Sequence, residues 1–182
     1  MTRIIVISDT HDHKLPDALI PLLGSADLIV HAGDFASVEC YEYLSGINEI
    51  VAVHGNSDCA ELKRRLPERT VFDVEDVRIG VVHEGQLSQN GSCGLWYLAK
   101  ELDCDVLIVG HIHTPFIEQA DVLIMCPGSP TVPRLADKSV IELTIEKDRV
   151  CGRVISLGAG ACFAGVRKQG VSHGGRQQNV LL

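Results

Sequence analysis

Five short aliphatic runs punctuate the chain, and each ends on a polar motif. Ile4-Ile5-Val6-Ile7 leads into Asp9-Thr10-His11, and Leu28-Ile29-Val30 leads into Gly33-Asp34. Ile50-Val51-Ala52-Val53 precedes Gly55-Asn56, and Ile79-Gly80-Val81-Val82 precedes His83. Val106-Leu107-Ile108-Val109 precedes Gly110-His111-Ile112-His113. Runs of this length read as strands. Helical segments alternate with them at Leu15–Leu23, Ser37–Leu44, Ser57–Leu66 and Leu95–Leu102. Pro21 weakens the end of the first, and Asp58 with Glu61 resembles a capping box at the start of the third.

From Thr70 onward short β-rich pieces dominate: 71–74, 77–82, 116–119, 122–125, 140–145 and 150–155, with turns at Glu75-Asp76, Ala120-Asp121 and Lys147-Asp148. A βαβ first half and a β-rich second half predict an α/β (α+β) domain over residues 1–157, with two sheets face to face and helices outside. The Gly-rich tail, 158–182, shows neither period and has no assigned role.

In open α/β sheets, ligands gather beyond the carboxyl ends of strands, so the five motifs are expected to meet at one rim. They bring two carboxylates, one amide and four imidazoles, a donor set large enough for two divalent ions. Singly, each motif has an ordinary explanation: Gly-Asp and Gly-Asn are common turns, and a lone histidine is more often packed than ligating. Their order and their shared place after a strand argue against coincidence.

Composition narrows the class. A net charge of -8 with histidines neutral repels phosphate backbones and anionic lipid, so no nucleic-acid or membrane surface is expected. Seven cysteines without a Cys-x-x-Cys pair read as small buried hydrophobes in a reducing compartment rather than as a disulfide framework. Asp9 interrupts the N-terminal apolar run too early for a signal peptide, and no stretch nears the ~20 apolar residues of a membrane span. A cytoplasmic protein is expected, with a homo-oligomer left open.

The arrangement Asp-x-His, Gly-Asp, Gly-Asn, His, Gly-His-x-His, from Met1 to about Ile155, resembles the calcineurin-like metallophosphoesterase superfamily. Ser8-Asp9-Thr10-His11-Asp12-His13, His31-Ala32-Gly33-Asp34 and Gly110-His111-Ile112-His113-Thr114 are similar to the small YfcE-type phosphodiesterases. So is Pro127-Gly128-Ser129 followed by Pro133-Arg134. The resemblance implies a four-layer sandwich of two mixed β-sheets flanked by helices. It also implies one metal held by Asp9, His11, Asp34 and His113, and a second held by Asp34, Asn56, His83 and His111, with Asp34 bridging. Manganese is the first expectation, and nickel, iron, zinc or magnesium also suit such donors. A hydroxide bridging the ions would attack phosphorus, so Asp34, His83 and His111 act catalytically through the metals. Gly33, Gly55 and Gly110 would let the backbone turn sharply beside the cluster.

Two dications, two carboxylates and a hydroxide leave one formal positive charge, which suits a singly charged diester; an Asp in place of Asn56 would cancel it. A small phosphodiester or phosphoester is therefore the expected substrate. Two departures bear on this. Ser57 stands where phosphoprotein phosphatases carry a leaving-group acid, a role typically worth ~10²–10⁴-fold, so poor leaving groups should react slowly; Asp58 is read as a helix cap rather than a substitute acid. His83-Glu84-Gly85 stands where relatives carry His-Gly-His, which places Glu84 near an anion site unless its side chain turns outward. His31 and His54 either support the ligands beside them or simply pack, and His13 borders the substrate. The alternative is a non-catalytic scaffold, as the retromer subunit of this fold is described; a complete ligand set argues against it, and a metal store or sensor explains less.

Overall fold

The structure, a computed structural model, describes the backbone of residues 1–88, 92–158 and 164–168; the side chains of 86, 88 and 164–168 lie outside the description. The first sheet contains β1 (Thr2–Ile7), β2 (Leu28–His31), β3 (Ile50–Ala52), β9 (Ser139–Glu146), β10 (Arg149–Ser156) and β11 (Ala164–Lys168), in the order β11-β10-β9-β1-β2-β3. The second contains β4 (Arg69–Val74), β5 (Val77–Val82), β6 (Val106–Val109), β7 (Pro115–Gln119) and β8 (Leu123–Pro127), in the order β4-β5-β6-β8-β7. β1, β2 and β3 run parallel, as do β5, β6 and β8, and the outer strands pair antiparallel.

The Ile4–Ile7 stretch of β1 is apolar at every position because both of its faces are buried. Ile4 and Val6 point between the sheets, against Val30, Ile79, Val81, Val106, Ile108, Met125, Ile141 and Leu143. Ile5 and Ile7 point outward, against Leu19 and Leu23 of α1 (Leu19–Gly24), Leu44 of α2 (Val38–Ser45) and Leu62 of α3 (Ala60–Arg65). On the far side, Val82, Leu107, Val109 and Ile124 meet Leu95, Leu98 and Ala99 of α4 (Cys93–Glu101). The layers run helix, sheet, sheet, helix, as the sequence implies. Each fully buried aliphatic side chain contributes roughly 1.5–3 kcal/mol through area removed from water.

Local signals account for most element boundaries. Ser37 caps α2, its Oγ accepting from Cys40 N at 3.2 Å, which satisfies one of the orphan donors of the first turn. α1 begins at Leu19 rather than Leu15, so Pro21 falls in its first turn, where a missing N–H is harmless. α3 begins at Ala60 with Cys59 as its N-cap and no side-chain cap bond, so the Asp58–Glu61 capping box does not form. The tail also departs from expectation. β11 pairs antiparallel with β10, Val150 facing Lys168 and Val154 facing Ala164. Main-chain bonding to an open sheet edge needs no side-chain period, which is why none was legible there. Tail residues 159–163, Cys162 among them, and 169–182 lie outside the described residues. Of the six described cysteines, all free, Cys40, Cys104 and Cys126 are buried, Cys59 and Cys151 half-buried and Cys93 exposed. No helix among the described residues is long and apolar enough to cross a membrane.

Candidate metal centre

The loops after β1, β2, β3, β5 and β6 converge at the carboxyl ends of the parallel strands of both sheets. Asp9 and Asp34 are buried there with His83 and His113, His11 and His111 are partly covered, and Asn56 is open to solvent. Asp9, His11, Asp34, His111 and His113 all hold positive φ, from 48° to 74°. Non-glycine residues adopt this region at a cost that surrounding structure must offset, and such strain concentrates at functional sites.

The donor atoms lie at separations that a shared ion produces. His113 Nε2 is 3.2 Å from Asp9 Oδ1 and 3.3 Å from His11 Nε2. His83 Nε2 is 3.3 Å from Asp34 Oδ2 and 4.0 Å from Asp9 Oδ1, and His11 Nε2 is 3.8 Å from Asp34 Oδ2. Ligands about 2.0–2.2 Å from one ion stand about 3 Å apart. Two groups each have donor atoms within 4.8 Å of one another: Asp9, His11 and His113, and Asp9, Asp34 and His83. Asn56 and His111 stand at the open side, with His111 outside those groups. Asn56 Oδ1 lies 2.9 Å from His111 Nδ1, and the His111 ring meets His83 edge-on at 5.4 Å between centroids.

The surroundings orient these groups. His83 Nδ1 donates to Ala32 O at 2.7 Å and His113 Nδ1 to Val132 O at 2.7 Å, which leaves each Nε2 lone pair facing the centre. Asp9 Oδ1 and His83 Nε2 are buried without a hydrogen-bond partner. Orphaned buried polar atoms are costly, and a cation between them satisfies both, so the donor set fits divalent metal. Burial works against a charge on either Asp34 or His83, but their mutual attraction prevails. The neighbouring His83 ring and the bond from Ser57 N hold Asp34 well below the usual carboxylate range, and the Asp34 and Asp9 carboxylates nearby raise His83 above the ordinary histidine value. The Asp9 carboxylate raises His113. Burial lowers His11 and His111, outweighing the carboxylates nearby.

Asp58 has a role that local sequence does not suggest. It is 4% exposed; its Oδ2 accepts from Asp34 N at 3.1 Å and Gly55 N at 2.7 Å, and its Oδ1 accepts from Ala36 N at 2.8 Å. One carboxylate thereby ties the Asp34 loop to the Asn56 loop. Ser8 Oγ donates to Asp9 Oδ2 at 2.5 Å, and Ser129 Oγ to Asp9 O at 2.7 Å. The carbonyls of Ala32 and Val132 act through the main chain, which carries no side-chain signal to read.

The glycines act differently from expectation. Gly33 does turn with φ +91°, but Gly55 and Gly110 serve by lacking a side chain: a Cβ would stand 2.2 Å from Asp34 Oδ1 at the first and 2.4 Å from Ala32 O at the second. His31 both supports and packs. Its ring bonds Thr10 Oγ1 and Gly33 N at 3.1 Å each and stacks on Phe35 at 3.5 Å; burial holds it well below the ordinary histidine value. His54 lines a cleft beside Asn56, His83 and His111, and His13 lines a separate one with Asp12 and Cys40. Glu84 turns to Arg69, 2.8 Å away, so its charge is compensated. Ser57 N donates to Asp34 Oδ1 at 2.7 Å; that position supplies a backbone donor rather than an acid.

Residues 2–148 match the model of the calcineurin-like phosphoesterase superfamily domain. A probable metallophosphoesterase of Methanocaldococcus jannaschii is 39% identical over 158 residues, covering 84% of this chain and 80% of the relative. Among solved structures, Vps29 of Chaetomium thermophilum superposes with a TM-score of 0.82 at 22% identity, covering 93% of this chain and 100% of that one. A Streptococcus pneumoniae protein described as a predicted phosphoesterase gives 0.70 at 22% identity, covering 92% and 98%. Below 25% identity these two likenesses speak to the fold alone. The family match and the archaeal relative carry more, and they agree with the motifs and with the rim where those motifs meet: the chain belongs to the calcineurin-like phosphoesterase superfamily.

Proposed function

We propose that this protein is a cytoplasmic, dinuclear metal-dependent phosphodiesterase acting on a small phosphodiester. The observation that carries the proposal is the facing pair of partnerless buried donors, Asp9 Oδ1 and His83 Nε2, inside a cluster spaced for ions. Asp9, His11, Asp34 and His113 would hold one ion, and Asp34, Asn56, His83 and His111 the other. Manganese is the proposed metal. Bound there, two dications supply Lewis acidity, lower the pKa of water and neutralise phosphoryl oxygens.

The chain's own residues set the rest. Ala32 O and Val132 O fix the tautomers of His83 and His113, and the Ser57 N–H holds the orientation of Asp34. Asn56 contributes a donor without charge, so two dications against Asp9 and Asp34 leave a cationic site suited to a singly charged diester. With Glu84 held by Arg69, its carboxylate does not oppose that charge. With Ser57 in place of an acid, leaving groups of low pKa are favoured.

The test uses chelator-stripped protein with bis(4-nitrophenyl) phosphate and 4-nitrophenyl phosphate against manganese, nickel, magnesium and zinc. Turnover should require added metal and favour the diester. Asp34→Asn and His111→Ala should abolish it while the far-UV circular dichroism stays unchanged. Undiminished turnover in either variant overturns the assignment. A non-catalytic scaffold of the same fold, with which the Vps29 likeness is compatible, predicts no metal-dependent turnover at all.

A further inference from the structure

A cleft of about 480 Å³ opens beside the Asn56–His111 side of the centre, and His54, Lys63, Glu68 and Glu84 line it together with Gly55 and His83. Its size lies in the range of clefts that take organic ligands, roughly 300–1,000 Å³. Two cations lie on or behind this wall, and they differ. Arg69 sits behind it, paired with Glu84 and with Glu101 at 3.5 Å. Lys63 stands in the wall itself, its Nζ donating to Asn56 O at 2.7 Å, and has no carboxylate within ion-pair distance among the described residues. An ammonium carries three donors, so two remain after that bond. Lys63 projects from α3, and the Asn56 carbonyl holds its head against the loop that carries a proposed ligand.

Resting on the phosphodiesterase proposal above, we infer that Lys63 is a substrate-binding residue. Its ammonium contacts a non-bridging phosphoryl oxygen of an ester whose organic arm lies in this cleft. Lys63 then binds the phosphoryl group beside the site that the metal ligands form. The Glu68 carboxylate on the same wall is placed to accept hydroxyl hydrogens from the arm. Among the described residues, histidine is the only ring side chain that lines the cleft.

Lys63→Gln keeps a donor for Asn56 O but removes the charge, while Lys63→Arg keeps the charge. With the manganese-loaded protein and bis(4-nitrophenyl) phosphate, Lys63→Gln should raise KM about five- to twenty-fold, with kcat within about threefold, because one charged hydrogen bond is lost. Inhibition by inorganic phosphate should weaken by a similar factor. Lys63→Arg should restore both. A Lys63→Gln protein with KM and phosphate inhibition within twofold of wild type overturns the inference and leaves Lys63 as a loop anchor. A fall in kcat alone, shared by both variants, overturns it as well. If the wild-type protein shows no metal-dependent turnover, the phosphodiesterase proposal fails and this inference with it; turnover with unchanged KM removes only the role of Lys63.

Discussion

Replacing Asp58 by alanine tests how the two central loops are held. The carboxylate is 4% exposed and accepts three backbone N–H bonds, from Asp34, Gly55 and Ala36. A hydrogen bond to a charged group is worth roughly 1.5–3 kcal/mol, and losing an acceptor strands its donors. Three such losses do not add fully, since water can reach part of the vacated space, so a cost of about 3–5 kcal/mol is expected. At ~2–4 °C per kcal/mol for a domain of this size, Tm should fall by about 6–20 °C. Asparagine presents one oxygen and one NH₂ group, so at least one donor meets another donor, and an intermediate loss is expected. Both variants should bind manganese more weakly, because the tie sets Asp34 against Asn56. Differential scanning calorimetry and metal titration calorimetry read the two effects. If Asp58 were only a helix cap, alanine would cost ~1 kcal/mol and leave metal affinity intact; that outcome would refute the loop tie.

Two further predictions follow from the same geometry. Gly55→Ala should abolish metal binding while the three apolar clusters keep the chain folded, because its Cβ would stand 2.2 Å from Asp34 Oδ1; retained stoichiometric binding in calorimetry would contradict this. Manganese affinity should fall as pH drops through the histidine range. Asp34 raises His83 and Asp9 raises His113 above the ordinary 6.5, so protons occupy ligand positions up to a higher pH than at a free histidine, and binding must displace them. Affinity measured between pH 5.5 and 8.5 should rise and then level off; a flat profile would refute the assignment of these two rings.

The short aliphatic runs and the polar residues that end them were legible in the chain itself. Period and length dictate strands, and a strand's carboxyl end dictates where its motif points, so Asp9, His11, Asp34, Asn56, His83, His111 and His113 could be placed at one rim beforehand. The Ser37 cap rests on an equally local signal, a serine just ahead of its helix. What the chain alone could not decide depended on contacts far apart in sequence. Asp58 satisfies every local rule for a helix start, yet Asp34 N and Ala36 N lie within its reach only once β2 and β3 pair, and three backbone donors outbid one helix terminus. Gly55 and Gly110 look like turn residues until a neighbouring loop presses against them. Glu84 has its charge matched because β4 presents Arg69 beside it. The edge strand at Ala164–Lys168 exists through main-chain pairing with β10, which leaves no periodic trace. Periodicity records burial along one element; hydrogen-bond partners and close approaches are decided by which elements become neighbours, and that is settled only when the two sheets close over their shared core.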